Sequence, residues 1–276
     1  MQELTIPWGQ WHKQSTRKIT FPDEWEVHYC PMTHYPALSE WEIEERIDKP
    51  IDCAKLEELS ANKHSACIVI DDISRPTPGC QILPIIIRKL VKAGIDINKI
   101  TVLLAVGGHR PLTRQEMKCK VGEWVLSHVQ VINHSPFASN LVTVPDAQQV
   151  IKVNQYYMQA DLKLAVGCIV PHNLAGFSGG AKAIVPGISG IETLRSNHSL
   201  AFDINDSTKT FLNNTCNPDN PVRRNIESVV SRVGLDYICN VILNDEMQIA
   251  DVFAGNFVSA HRLACNAAMC KLKSKR

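Results

Sequence analysis

Residues 67–106 read CIVIDDISRPTPGCQILPIIIRKLVKAGIDINKITVLLAV. Residues 67–71 and 100–106 are short runs rich in β-branched side chains, which is typical of buried strands. Residues 82–93 between them are mostly apolar and are followed by Gly94, as expected for a helix with a glycine at its C-terminal end. A strand, a helix and a second strand in this order form a parallel βαβ unit, which predicts an α/β fold.

The same alternation of strands and helices continues along the chain. The capping box Thr113-x-x-Glu116 predicts a helix that ends near Val125, and residues 162–170 form an apolar run typical of a buried central strand. These elements predict a Rossmann-like mixed or parallel sheet that is covered by helices on both faces. The remaining predictions are strands near 129–133 and 149–153, helices over about 190–200, 222–233 and 256–272, and a β-hairpin of residues 237–243 and 247–253.

The first sixty residues have a different character. Prolines at positions 7, 22, 31 and 36 interrupt this part of the chain. The capping box Ser39-x-x-Glu42 predicts one helix in it. We therefore expect two units: an N-terminal segment, residues 1–60, that packs on a main α/β domain, residues 61–276.

The composition excludes several classes of protein. Of the 276 residues, 45% are apolar and 21% are charged, as in ordinary globular domains, and the apolar runs are too short to span a membrane. The net charge of +1 gives no field that would attract nucleic acid or an acidic membrane. The N-terminus lacks the basic and apolar regions of a secretion signal, so we expect a cytoplasmic protein with a small-molecule partner.

The ten cysteines are scattered along the chain and form no Cys-x-x-Cys pair. This spacing argues against a disulfide scaffold and against a zinc site built from thiolates. Since several cysteines lie within apolar runs, we expect most of them to be buried thiols.

Three polar segments, two of them rich in glycine, follow the predicted buried strands. They are residues 71–78, 107–113 and 171–182. Ligands of open α/β sheets bind outside the carboxyl ends of the strands, so we expect these three segments to meet around one site. This placement is the strongest indication of function that the residues alone provide.

Single side chains in these segments allow more than one role. Arg75 could hold a carboxylate or phosphate through two parallel hydrogen bonds, or it could pair with a neighbouring aspartate and brace its loop. His109 could titrate near neutral pH in a catalytic role, or it could be an ordinary surface histidine. His198 could bind a metal, but no nearby His or carboxylate cluster supplies further ligands.

The third segment is the most specific. Gly176, Gly179 and Gly180 allow the backbone to approach a ligand closely and to cradle a phosphate. The Walker and Gly-x-Gly-x-x-Gly spacings are absent, so ordinary ATP or NAD binding is not expected. Lys182 could contact a phosphate, bond covalently to a ligand, or be a solvated lysine.

Taken together, the motifs resemble those of the nickel-dependent lactate racemase family. The resemblance extends from about residue 67 to about residue 200, and segments 240–244 and 253–256 continue it. The motifs that carry it are Asp72-x-x-Arg75-Pro-Thr-Pro, Gly-Gly-His109-Arg-Pro-x-Thr-x-x-Glu116, Pro-His172-x-x-Ala-Gly-Phe-Ser-Gly-Gly-x-Lys182-x-x-x-Pro-Gly and Asn197-His198.

The resemblance implies a cofactor and a role for each of these residues. The cofactor is a nickel pincer nucleotide, a modified pyridinium mononucleotide that binds nickel through one carbon and two sulfurs and is linked covalently to a lysine. The positions that match the family's roles are Lys182 for that link, Asp72, Ser178, Gly179 and Gly180 for other cofactor contacts, His198 for the nickel, His109 and His172 for acid–base catalysis, and Arg75 for the substrate carboxylate.

The implied reaction is racemisation or epimerisation of a small, lactate-like 2-hydroxy acid. In the family, one histidine takes the hydroxyl proton while a hydride passes from C2 to the cofactor, and the keto acid is then reduced on its opposite face. The second histidine serves the other enantiomer. Two bases on opposite sides of one carbon suit such a reaction.

Two other functions remain open at this point. The chain could be a cofactor-binding domain without turnover of its own, or a regulatory domain that binds the phosphate of an ordinary nucleotide. Family members are longer, two-lobed proteins. We expect residues 61–276 to match their N-terminal catalytic domain, with a C-terminal lobe or a second copy of the chain as partner.

Overall fold

The computed structural model describes residues 2–30, 32–202 and 219–271. Its elements alternate between strands and helices over most of this length. In chain order they are β1 (Gln2–Trp8), β2 (Ser15–Phe21), α1 (Glu40–Ile47), α2 (Leu56–Leu59), β3 (Ala66–Asp71), α3 (Gly79–Lys92), β4 (Ile100–Ala105), α4 (Arg114–Val121), α5 (Glu123–His128), β5 (Gln130–Asn133), β6 (Val142–Val144), β7 (Ile151–Val153), α6 (Gln155–Gln159), β8 (Leu162–Cys168), β9 (Pro171–His172), β10 (Gly176–Phe177), α7 (Ile191–Ser199), α8 (Pro221–Val233), β11 (Tyr237–Leu243), β12 (Ile249–Gly255) and α9 (Ser259–Lys271).

The main sheet has six strands in the order β12-β11-β8-β3-β4-β5. Neighbouring strands from β11 to β5 run parallel, and β12 joins the edge antiparallel to β11. The predicted mixed α/β sheet is therefore confirmed. After β3 the chain adds β4 and β5 on one side and β8 and β11 on the other, so the direction of winding switches between β3 and β8. A switch of this kind opens a crevice at the carboxyl ends of the two strands.

Both faces of the sheet are buried. Alternate residues of β3 point to opposite faces, so that Ile68 and Ile70 belong to one apolar cluster, whereas Cys67 and Val69 belong to another. The first cluster contains α1, α3 and the core-facing residues of α4 and α5, and the second contains α8. This two-sided burial explains why the central strands read as continuous apolar runs.

One local prediction is wrong in detail. The helix expected from Thr113 to Val125 is split into α4 and α5 at Gly122, which has φ of +87°. This left-handed conformation favours glycine and ends an α-helix. The strand expected near 149–153 is confirmed as β7, which pairs with β6 in a separate two-stranded sheet.

The N-terminal segment contains a hairpin that the sequence analysis did not predict, β1 paired with β2. Within the hairpin turn, Trp11 donates a hydrogen bond from Nε1 to the carbonyl oxygen of Ile73 at 2.8 Å. The predicted helix is confirmed as α1, which begins with the complete capping box of Ser39 and Glu42. The division at residue 60 stays a prediction.

The cysteines differ in part from expectation. None of those in the described residues forms a disulfide, but only Cys67, Cys168, Cys239 and Cys265 are buried, and Cys216 lies outside the described residues. Four of the nine described cysteines is less than the majority expected.

No helix of the described chain has the length and apolar character of a membrane span. The expected cytoplasmic location stays a prediction.

Candidate active site

A cavity of about 300 Å³ lies at the carboxyl ends of β3, β4 and β8, at the switch in winding direction. All of the residues to which the family resemblance assigns a role line it, whereas Gly176 is not among the lining residues. The residues with an assigned role are Asp72, Arg75, His109, His172, Ser178, Gly179, Gly180, Lys182 and His198. The three polar segments therefore meet, as expected from the parallel strand order.

The loop after β3 is fixed by a buried ion pair. Lys120 of α4 is fully buried, and its Nζ donates to Asp71 Oδ1 at 2.6 Å and to the carbonyl oxygen of Arg75 at 2.8 Å. Thr77 donates from Oγ1 to the other carboxylate oxygen of Asp71 at 2.6 Å. Asp71 thus binds Lys120 and Thr77 and braces the loop, whereas the guanidinium of Arg75 pairs with no carboxylate within the described residues. The sequence analysis missed Lys120, because its position on α4 gives no sign of the loop that it reaches.

We expect Lys120→Met to lower the free energy of unfolding by about 3 kcal/mol, because removing one partner leaves Asp71 without its buried counter-charge. Lys118→Met on the same helix is the control. Lys118 pairs with Glu123 in solvent, so the change there should stay within about 1 kcal/mol. Urea denaturation measures both values. Equal values for the two variants would contradict the structural role of Lys120.

Asp72 orients His109. The buried carboxylate of Asp72 accepts a hydrogen bond from His109 Nδ1 at 2.6 Å, and its second oxygen accepts from the amide and the hydroxyl of Ser74 at 3.1 and 2.5 Å. This arrangement places the proton of a neutral imidazole on Nδ1 and leaves the lone pair on Nε2. His109 itself is 60% exposed, so a bound ligand can reach it. His109 is therefore arranged as a proton acceptor.

His172 is held differently. Its Nδ1 accepts hydrogen bonds from the amides of Leu174 and Ala175, both at 3.2 Å, so a neutral ring carries its proton on Nε2. Burial, and then the positive charges of Lys182 and Arg75, lower the pKa of His172 to about 3. The imidazole is therefore neutral at physiological pH. In their neutral forms, His109 therefore offers an acceptor at Nε2 and His172 offers a donor at Nε2, and both residues line the same cavity.

The turn at residues 178–180 is supported from beneath. Ser178 Oγ donates to the carbonyl oxygen of Cys168 at 2.5 Å and accepts from the amide of Val170 at 2.9 Å, and its own carbonyl oxygen accepts from His261 Nε2 at 3.0 Å. Gly180 has φ of +58°, and a Cβ there would lie 2.8 Å from the ring of His261. The hydroxyl of Ser178 is thus engaged with the backbone, and its contact with a cofactor stays a prediction. His261 is a further residue that sequence reasoning missed.

Lys182 has no carboxylate partner in the part of the chain that the structure describes. Burial, followed by the positive charges of Arg75 and Arg223, lowers the pKa of Lys182 to about 7. A substantial fraction of this amine is therefore uncharged at neutral pH. An uncharged amine is a nucleophile, which suits covalent attachment of a ligand better than a solvated lysine would.

His198, on α7, reaches the same cavity with a neutral imidazole. Burial and then the charge of Lys182 lower the pKa of His198, and its buried Nδ1 forms no hydrogen bond. Neutral imidazole is a common metal ligand. No three His, Cys, Asp or Glu side chains of the described residues converge on a metal site, so a metal at His198 would take its other ligands from a bound molecule. The residues present fit a metal that arrives within an organic cofactor.

Residues 12–210 of this chain match the sequence model of the family described as the lactate racemase N-terminal domain. The chain belongs to that family. The curated lactate racemase of Lactiplantibacillus plantarum is 36% identical over 239 residues, which cover 85% of this chain and 55% of that protein. The lactate racemase of Thermoanaerobacterium thermosaccharolyticum is 33% identical over 274 residues, which cover 96% of this chain and 62% of that protein.

Solved structures agree with this assignment. The lactate racemase apoprotein from Thermoanaerobacterium thermosaccharolyticum matches with a TM-score of 0.81 at 29% identity, covering 97% of this chain and 62% of that chain. A protein from Thermotoga maritima matches with a TM-score of 0.67 at 23% identity, covering 86% of this chain and 60% of that chain, and it supports the fold alone. This chain thus spans between half and two thirds of the length of these relatives.

Proposed function

We propose that this chain is the cofactor-bearing catalytic lobe of an isomerase that racemises or epimerises a small 2-hydroxy acid of the lactate class. The observation that carries the proposal is the convergence of His109, His172, Arg75 and Lys182 on one cavity, from three different loops. Family membership and the names of the curated relatives support the same activity.

Each side chain has a role that follows from its surroundings. The guanidinium of Arg75 binds the substrate carboxylate through two parallel hydrogen bonds. His109, whose Nδ1 is fixed by Asp72, accepts the hydroxyl proton of one enantiomer at Nε2. His172 serves the other enantiomer. Burial is the main cause of its low pKa, and the charges of Lys182 and Arg75 come next; a carboxylate on Arg75 and covalent attachment at Lys182 would offset these two charges and so raise the pKa.

The cofactor that fits this set is a nickel pincer nucleotide. Lys182 would hold it covalently, His198 would bind its nickel, and Asp72, Ser178, Gly179 and Gly180 would surround it. When bound, the cofactor supplies the acceptor and donor of the hydride that leaves and returns to C2. The protein contributes orientation, charge and the two acid–base groups.

We expect His198→Ala to lose bound nickel while it keeps its fold. The native imidazole Nδ1 makes no hydrogen bond within the described chain, so the substitution breaks no hydrogen bond of that atom. Elemental analysis of protein from a host that makes the cofactor measures nickel per chain, and circular dichroism measures the fold. His128→Ala, at an exposed histidine on α5, is the control. Unchanged nickel in His198→Ala would exclude His198 as the ligand.

A partner would complete the site. Since the curated relatives are longer, we propose that a C-terminal lobe, or a second copy of the chain, closes over the cavity and excludes water from the reaction. The test is to add L-lactate to the cofactor-loaded chain, alone and together with a C-terminal lobe of the kind the relatives have, and to follow D-lactate. Turnover only in the presence of the lobe would make this chain a cofactor-binding lobe without independent activity. No turnover by either would refute the proposed activity.

A further inference from the structure

Asn240 is a buried polar residue that lines the cavity and has no part in the roles described so far. It lies on β11, in register with Gly167 of β8, and it is 1% exposed. Its side chain is one wall of the cavity. A Cβ at Gly167 would lie 3.7 Å from Asn240 Nδ2, at van der Waals distance, so the glycine leaves the space beside this amino group free of a side chain.

The orientation of the Asn240 amide is set by the protein. Gly180 donates a hydrogen bond from its backbone N–H to Asn240 Oδ1 at 2.9 Å. An N–H donor requires an acceptor, so the oxygen faces Gly180 and the amino group takes the opposite position. Asn240 therefore holds the glycine turn with one end of its amide and presents two N–H donors with the other.

Those donors have no partner. Asn240 Nδ2 is buried and forms no hydrogen bond within the described residues. A buried donor without an acceptor destabilises a protein, and most such groups in native structures are satisfied. An unpaired donor in a cavity wall is explained most simply by an acceptor on a ligand.

The surrounding charges indicate the kind of acceptor. Arg75 and Lys182 line the same cavity, and neither pairs with a carboxylate of the described residues. The two carboxylates of the cavity, Asp71 and Asp72, are already engaged by Lys120 and Thr77 and by His109 and Ser74, which leaves the guanidinium of Arg75 as a charge without a partner in the described chain. An anionic oxygen suits such surroundings, and hydrogen bonds to charged acceptors are the stronger ones. We propose that Asn240 Nδ2 donates a hydrogen bond to an anionic oxygen of the ligand bound against the turn of Gly179 and Gly180. The anionic oxygen has two candidate sources, the phosphate of a pyridinium mononucleotide and the carboxylate of a 2-hydroxy acid. Both sources are taken from the proposed function, and the inference rests on it to that extent.

The decisive variant is Asn240→Asp. Aspartate has the same shape and keeps an oxygen for the amide of Gly180, but it replaces the free donor with an acceptor that repels an anion. If Asn240 only held the turn, ligand affinity would not change. If it binds the anionic oxygen, affinity should fall at least about tenfold. Asn244→Asp is the matched control, because Asn244 Nδ2 already donates to the carbonyl oxygen of Tyr35 and to Gln248 within the protein.

Calorimetric titration of the cofactor-free chain with two probes separates the sources. Nicotinamide mononucleotide carries its negative charge on the phosphate alone, and its nucleoside without phosphate is the companion probe. Lactate offers only a carboxylate. Loss of affinity in Asn240→Asp for the mononucleotide identifies the phosphate, and loss for lactate identifies the carboxylate. Equal affinities of the wild type and Asn240→Asp, or no binding of either probe by the wild type, would overturn the inference.

A measurement on the unaltered protein covers the case in which Asn240→Asp does not fold. The side-chain amide resonances of Asn240 should shift on titration with whichever probe binds, together with the backbone amide of Gly180. A shift of Gly180 without one of the Asn240 side chain would also overturn the inference. Neither experiment measures turnover, so a failure of the racemase proposal would be seen separately, in the lactate assay.

Discussion

Lys182→Ala should abolish covalent attachment of the cofactor. In protein from a host that makes the cofactor, intact-mass analysis should show an added mass on the wild type and none on the variant. Lys182 is expected to be the attachment point because its pKa is lowered to about 7, which leaves part of the amine uncharged and nucleophilic at neutral pH. Attachment in vitro should accelerate as the pH rises through 7 and should slow below it, because protonation removes the nucleophilic lone pair.

Lys152→Ala is the matched control for this experiment. Lys152 is a partly exposed lysine that pairs with Glu192 outside the cavity. It should keep the added mass. An adduct of the same mass on Lys182→Ala would assign the link to another residue, and a rate that does not depend on pH near 7 would show that deprotonation of Lys182 does not limit attachment.

Replacing either cavity histidine should reduce turnover strongly while the cofactor stays bound. General acid–base groups contribute ~10²–10⁴-fold, so His109→Ala and His172→Ala in the cofactor-loaded protein, with any partner lobe that turnover requires, should each slow racemisation by about that factor. Asp72→Asn should slow it less, because the variant keeps the imidazole but loses the carboxylate that fixes Nδ1. Initial rates from D-lactate and from L-lactate measure these effects.

Two comparisons separate catalysis from local stability. His128→Ala removes an exposed histidine of α5 and should leave both rates unchanged. If His172 served only to accept the amides of Leu174 and Ala175, its loss would lower the midpoint of thermal unfolding and change the rates little. Near-normal rates in both directions for either cavity variant would remove that histidine from the mechanism.

The sequence predicted the architecture where local pattern and tertiary structure agree. The runs that became β3, β4 and β8 are apolar because both faces of the sheet are buried, and that burial is visible in a single sequence. The convergence of Arg75, His109 and Lys182 followed from the rule that parallel strands end at one edge. The break at Gly122 was missed because a glycine within a helical pattern does not by itself reveal its φ.

The residues that hold the loops of the site in place from other elements could not be predicted in the same way. Lys120, His261 and Asn240 are each distant in sequence from the loop that they hold, and each lies in a segment that is typical of an ordinary helix or strand. Their roles depend on which elements become neighbours in space. Only the assembled sheet brings β11 and α9 beside the turn at Gly180.

Asn240 and His261 also limit how far this chain can be shortened from its C-terminal end without losing the turn at residues 178–180. The family match ends at residue 210, yet Asn240 and His261, which hold the turn at residues 178–180, come later. A protein truncated at that point would leave β8 as an open edge and would remove the floor beneath Gly180. The end of the family match is therefore not a folding boundary, and fragments designed for expression or transplantation need to extend through α9, to Lys271.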